Sequence, residues 1–245
     1  MTIGNGKLAI GLVFAGALVA AGIATGGHLL GKQIYDSRIG DRFVTVKGLA
    51  EREVTADLSI WPLRVSATGD DLMTVQVKIE ADVTQISLFL ASRGFSLEEV
   101  QPQRVEVTDL LAQTYRQEGA SENRYIIQQT VMIRTANVNL VDQISRDVGE
   151  LVKRGVVLSD GSGPTYLFTK LNEVKPSMIA EAMVNARAGA EQFATDSASR
   201  VGGIRRANQG VFVILPRDET DGVWEPTQLH KKVRVVSTIE YYLVD

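Results

Sequence analysis

Residues 8–31 form an unbroken run of 24 residues without a formal charge, LAIGLVFAGALVAAGIATGGHLLG, held between Lys7 and Lys32. As an α-helix, such a run reaches about 36 Å, longer than the roughly 30 Å hydrocarbon core of a bilayer. A soluble helix of that length would carry a polar stripe, and this one has none. Its glycines (Gly11, Gly16, Gly22, Gly26, Gly27 and Gly31) would weaken a helix in water but are common in membrane helices. The run therefore predicts a membrane anchor over residues 1–31, with the lipid bilayer as its partner. A cleaved signal peptide is the alternative. Val19-Ala20-Ala21 and Ala24-Thr25-Gly26 supply small residues for cleavage, but a signal's apolar core is usually only about 7–15 residues long. Gly22 and Gly26, four apart, are candidates for close helix packing, although a glycine-rich helix contains such a pair readily by chance. His28, near the end of the span, reads as a tolerated polar residue. Orientation stays open: Lys7 precedes the span and Lys32, Arg38 and Arg42 follow it, but long domains cross a membrane largely regardless of flanking charge.

Beyond a short polar linker at residues 32–41, residues 42–245 read as one folded domain. Period-two stretches predict strands at 42–47, 54–67, 104–115, 124–135, 156–170, 208–216 and 231–244. Helical spacing predicts helices at 71–93, 139–154 and 176–201. Gly94, Gly155 and Gly202-Gly203 are their expected stops, Asn139 the expected cap of the second, and Pro176 the expected first turn of the third. The order β-β-α-β-β-α-β-α-β-β favours an α+β fold with mixed or antiparallel sheets over a doubly wound parallel sheet. Pro62, after Trp61 in a strand, cannot donate to a ladder and predicts an edge or a bulge, a weak pointer to coverage by another subunit.

The inventory excludes much chemistry. The absence of cysteine rules out disulfides, thiol nucleophiles and Cys-ligated metal. Two histidines, His28 and His230, leave almost no material for a triad or a multi-histidine metal site. There is no P-loop, GxGxxG or GxSxG. Ser162 between Gly161 and Gly163 reads as a turn. Asp70, Asp71, Glu98 and Glu99 read as caps and solvated groups, while Glu51, Glu53 and Asp57 are expected to face solvent along a hairpin. No catalytic residue, cofactor, metal or small-molecule substrate is assigned, and the chain is expected not to be an enzyme. A net charge of −3 and few aromatics give no reason to expect nucleic acid. The densest basic cluster is His230-Lys231-Lys232 with Arg234. Lys231, Lys232 and Arg234 are the candidate anionic-ligand patch, against the commoner reading of a charged strand entry.

Phe43-Val44-Thr45-Val46-Lys47-Gly48, followed by Ala50-Glu51-Arg52-Glu53-Val54-Thr55-Ala56-Asp57, resembles the opening of the SIMPL-domain family, with Ala50 where the family's pattern has its last glycine. The helix at 71–93 with Gly94, the alanine-rich segment 180–198 and the closing strand 233–242 are similar to the family's later motifs, so the resemblance covers about residues 42–245. It implies an α+β fold in a bacterial envelope protein of unknown function, held on the membrane with its carboxyl-terminal domain in the periplasm, or exported there after signal cleavage. Some members assemble into ring- or channel-like homo-oligomers, so a self-associating structural module is the expected role. An envelope enzyme or an anionic-ligand-binding domain is the alternative.

Overall fold

The computed structural model describes residues 5–39, 42–112, 123–159 and 163–244. It is an α+β fold with two antiparallel sheets and several helices. A long helix, α1 (Asn5–Ile39), leads into β1 (Phe43–Thr55) and β2 (Leu58–Gly69). Then come α2 (Leu72–Ser92), β3 (Val100–Pro102), β4 (Glu106–Asp109), β5 (Tyr125–Thr135), α3 (Val138–Ser145), α4 (Gly149–Lys153) and β6 (Thr165–Leu167). The chain closes with α5 (Leu171–Asp196), β7 (Arg200–Gln209), β8 (Val213–Pro216) and β9 (His230–Val244). One sheet runs β1-β9-β7, with β8 also on β9. The other runs β3-β5-β2-β6, with β4 also on β5.

Where one domain is expected over residues 42–245, the chain divides into two compact units. The first comprises Met1–Leu49, Ile179–Gly210 and Val236–Asp245; the second comprises Ala50–Met178 and Val211–Val235. Each boundary at Leu49, Met178 and Val235 falls within a continuous strand or helix, so no linker composition marks it.

In the second unit β2 and β5 pair without a register break from Ser59↔Thr135 to Gly69↔Tyr125. Alternation then sends Trp61, Leu63 and Val65 inward beside Ile127, Val131 and Ile133. Helix α2 lays Val75, Ile79, Ile86, Phe89 and Leu90 into that core, and α3 and α4 add Val141, Ile144 and Leu151. Asp71 caps α2 by accepting the Thr74 N–H at 2.8 Å, and Gly94 ends it with φ +98°.

Several boundaries differ from expectation. β1 and β2 turn at residues 56–57, not before Val54. The expected helix 139–154 is two short ones, capped by Asn137, not by Asn139: the Asn137 Oδ1 accepts from the Leu140 N–H at 3.3 Å. The expected strand 104–115 ends at Asp109 in a 3-10 turn at Leu110–Ala112; its end and most of the following loop lie outside the described residues. Among the described residues, the strand expected at 156–170 is present as a bridge between Leu158 and Val65 and as β6; residues 160–162 lie outside the described residues. β2 is no edge, since it pairs with both β5 and β6. Pro62 is tolerated because even-numbered residues of β2 direct their backbone groups away from β5, as Ser66 and Arg64 do toward Val157 and Ser159. Among the described residues β6 pairs only with Leu58–Ile60, so no described ladder bond is lost at Pro62.

In the first unit β9 pairs antiparallel with β7, and Val46, Ala186, Ala190, Ile239 and Tyr241 form a small core. Helix α5 begins five residues before Pro176, which therefore lies inside it. It ends at Asp196, well before the expected stop at Gly202-Gly203. Ala198 takes the left-handed conformation at φ +53°. Its N–H bonds the Thr195 carbonyl and the Ser199 N–H bonds that of Ala194, a Schellman closure on a residue type that gives little warning of it. Gly202 and Gly203 sit instead where β7 slips register against β9, with the Tyr242 carbonyl 3.2 Å from where a Gly202 Cβ would stand.

Candidate functional site

Three places could carry function: α1, the basic start of β9, and a polar cleft beside His230. Along α1 the described side chains of Leu18, Val19, Ile23, Leu29, Leu30 and Ile34 are all exposed. A Cβ built on Gly22 or Gly26 meets nothing within 4 Å, so both glycines present bare helix surface. Among the described residues no helix is long and apolar enough to cross a membrane. The apolar run begins at Leu8, ahead of Ala15, the first described side chain of α1.

On β9 the strand alternates, which separates the basic cluster. Lys231 points inward with Val233 and Val235 and is fully buried. Its ammonium donates to the Glu225 carbonyl at 2.7 Å and to the Glu225 carboxylate. Lys232 and Arg234 lie on the other face, where Lys232 pairs with Glu219 at 2.9 Å and Arg234 with Glu51 at 3.2 Å. The Lys232 hydrogen bond draws the Glu219 carboxyl below its ordinary range and raises the Lys232 ammonium. The three cations therefore do not share one surface, and each already holds a carboxylate. Asp57, expected to face solvent, instead accepts from the Thr169 N–H at 2.7 Å and its hydroxyl at 2.9 Å. That clamp ties the β1–β2 turn to the chain leading into α5.

A cleft of about 380 Å³ opens beside His230, lined by Asp142, Arg146, Arg217, Asp218, Thr227, Gln228 and Leu229. Arg146 holds Asp142 at 2.6 Å, and Arg217 holds Asp218 at 2.7 Å. The Arg217 hydrogen bond lowers the Asp218 carboxyl, and Asp218 in turn raises Arg217. Nearby, Tyr166 is pushed up to about 12, first by burial and then by the charge of Asp142. The Asp218 carboxyl is thus held ionised by a guanidinium, Asp142 is ion-paired with Arg146, and the Tyr166 phenol keeps its proton at neutral pH. The cleft offers two fixed ion pairs, with the His230 imidazole among them and its Nδ1 3.4 Å from the Thr55 hydroxyl. Among the described residues no group of three His, Asp or Glu side chains could hold a metal ion. Ser162 lies outside the described residues.

The sequence reading missed the cleft, whose residues come from α3 and from the segments on either side of the 3-10 turn Glu225–Thr227, far apart in the chain. It also missed a second apolar line on α2, Met73, Val77 and Leu88, which is exposed and was legible from its helical spacing.

Residues 44–228 match the profile of SIMPL, a family described as a protein of unknown function (DUF541). No curated protein matches the chain.

Proposed function

The chain belongs to the SIMPL family, and from that membership we propose that it is a single-pass inner-membrane protein whose folded part is a self-associating structural module in the periplasm. The observation that carries this reading is the uncharged run at residues 8–31 within the 35-residue helix α1. Its described apolar side chains Leu18, Val19, Ile23, Leu29, Leu30 and Ile34 are all exposed. Water is a poor solvent for such a helix; a bilayer is a good one. The role is structural rather than catalytic, a reading supported by the ion-paired carboxylates of the His230 cleft and by a cation on β9 that is spent on holding Glu225.

Membrane attachment is tested by washing membranes at alkaline pH and measuring the mass of the retained protein. The full-length mass should stay with the membrane pellet. Intact chain in the detergent-free supernatant, with residues 1–31 attached, overturns the anchor. A reporter fused after Asp245 that is active only outside the cytoplasm is expected to report export. A cytoplasmic signal overturns the assigned side. Sedimentation of the detergent-solubilised full chain checks self-association, which a monomer at all concentrations would exclude.

A further inference from the structure

A fourth place lies on the open face of the second unit's sheet, where a groove of about 360 Å³ follows a break in the edge strand. β3 and β4 pair with the same strand, β5, but not in one register. Pro102 stands opposite Val131 and Glu106 opposite Gln128, so the edge spends four residues where β5 spends three. The Gln103 N–H still donates to the Thr130 carbonyl at 2.8 Å, in step with β3, which leaves Arg104 as the extra residue of a β-bulge. The Gln129 amide fastens the bulge by donating to the Gln103 carbonyl at 2.8 Å. Unbroken alternation would send Arg104 to the side of Pro102 and its buried partner Val131. The bulge instead brings it out beside Gln103 and Glu106, into a groove with Arg64 and Thr130 of the neighbouring strands.

We propose that this groove is a binding site for an acidic saccharide, a chain of hydroxyls that carries carboxylates. The charge balance favours an anion. In the His230 cleft each guanidinium is held by its own aspartate, at 2.6 Å and 2.7 Å. Here two guanidiniums face the one carboxylate of Glu106. Arg64 reaches it only at 3.9 Å, and Arg104 has no ion-pair partner among the described residues. The lining therefore carries a net positive charge, and a planar guanidinium takes a carboxylate through two parallel hydrogen bonds. The rest of the lining is polar and neutral. Gln103, Gln128 and Thr130 each bring both donors and acceptors, which suits a row of hydroxyls. Met132 is the one apolar residue of the lining, so an acyl chain or an apolar peptide side chain finds no pocket to fill. Such binding depends neither on membrane attachment nor on self-association.

Isothermal titration of the detergent-solubilised full chain with tetragalacturonate tests this, with the neutral tetrasaccharide maltotetraose and inorganic phosphate as comparisons. Tetragalacturonate is expected to bind at least about tenfold more tightly than either. Arg104→Gln, at an exposed position, should weaken that binding about tenfold, and Arg104→Lys, which keeps the charge but not the fork, should weaken it less. Arg134→Gln removes a cation from the same strand β5 but outside the groove, and should leave the affinity within about twofold. Melting temperatures equal to that of the wild type are expected for all three variants, whose side chains are exposed. Equal losses in Arg104→Gln and Arg134→Gln would make the attraction a diffuse one and overturn the site. Phosphate bound as tightly as tetragalacturonate would reduce the groove to an oxyanion site and overturn the saccharide. No binding of tetragalacturonate overturns both.

Discussion

Helix α2 meets its sheet through Ile79, Ile86, Phe89 and Leu90, whereas α5 is buried along Ala182, Ala186, Ala190 and Ala194. Large side chains keep a helix away from a sheet and fill the gap with apolar volume. Alanines four apart leave no gap to fill, so backbone approaches backbone. Gly48 records the closeness: a Cβ there would stand 1.8 Å from the Ala182 carbonyl oxygen. The two units therefore have opposite weaknesses, one to lost volume and the other to added volume.

The sharpest way to break this comparison is to add volume where alanine and glycine meet. Gly48→Val should destabilise by about 4 kcal/mol or more, the upper end for overpacking, because the obstructing atom is backbone. Chemical denaturation reads this, and a change below about 1 kcal/mol would refute the close contact. Truncation should hurt the other unit more: Ile79→Ala is expected to cost about 3 kcal/mol, but Ala186→Gly only about 1 kcal/mol. Equal losses would erase the contrast. Glu225→Ala strands the buried Lys231 ammonium and should cost about 2 kcal/mol, less than a fully buried pair because Glu225 keeps some water. Lys231→Met should cost less than Glu225→Ala in the same assay, since it leaves no buried cation.

The smallest expected effect is a pH dependence. The Thr135 hydroxyl, and after it the Ser96 amide, hold the Glu99 carboxyl below its ordinary range. A depressed folded value means that this stabilisation is present above the unfolded value of about 4.3 and is lost as pH falls through the lower folded one. The melting temperature of wild type should therefore exceed that of Glu99→Gln at neutral pH, and the gap should close below about pH 4. A gap that is constant with pH would assign the effect to packing instead.

Much of α2 was legible in advance. A strong 3.6-residue period, Asp71 as cap and Gly94 as stop are local signals, and they placed its ends within a residue. The end of α5 was not, because the closing left-handed residue is Ala198 and the glycines that suggested a stop belong to a strand bulge. The candidate patch at Lys231, Lys232 and Arg234 was legible as charge but not as surface. Along β9 both faces carry apolar residues, so alternation alone does not tell which side is buried.

From sequence alone come the apolar leader, the α+β class, the absence of cysteine chemistry and the family resemblance. All of these follow from local periodicity, composition and motif order. Tertiary structure decided the division into two units, the inward turn of Lys231 and the clamp of Asp57 on Thr169. Each depends on which distant segments meet, and burial and ion pairing come into being only when they do.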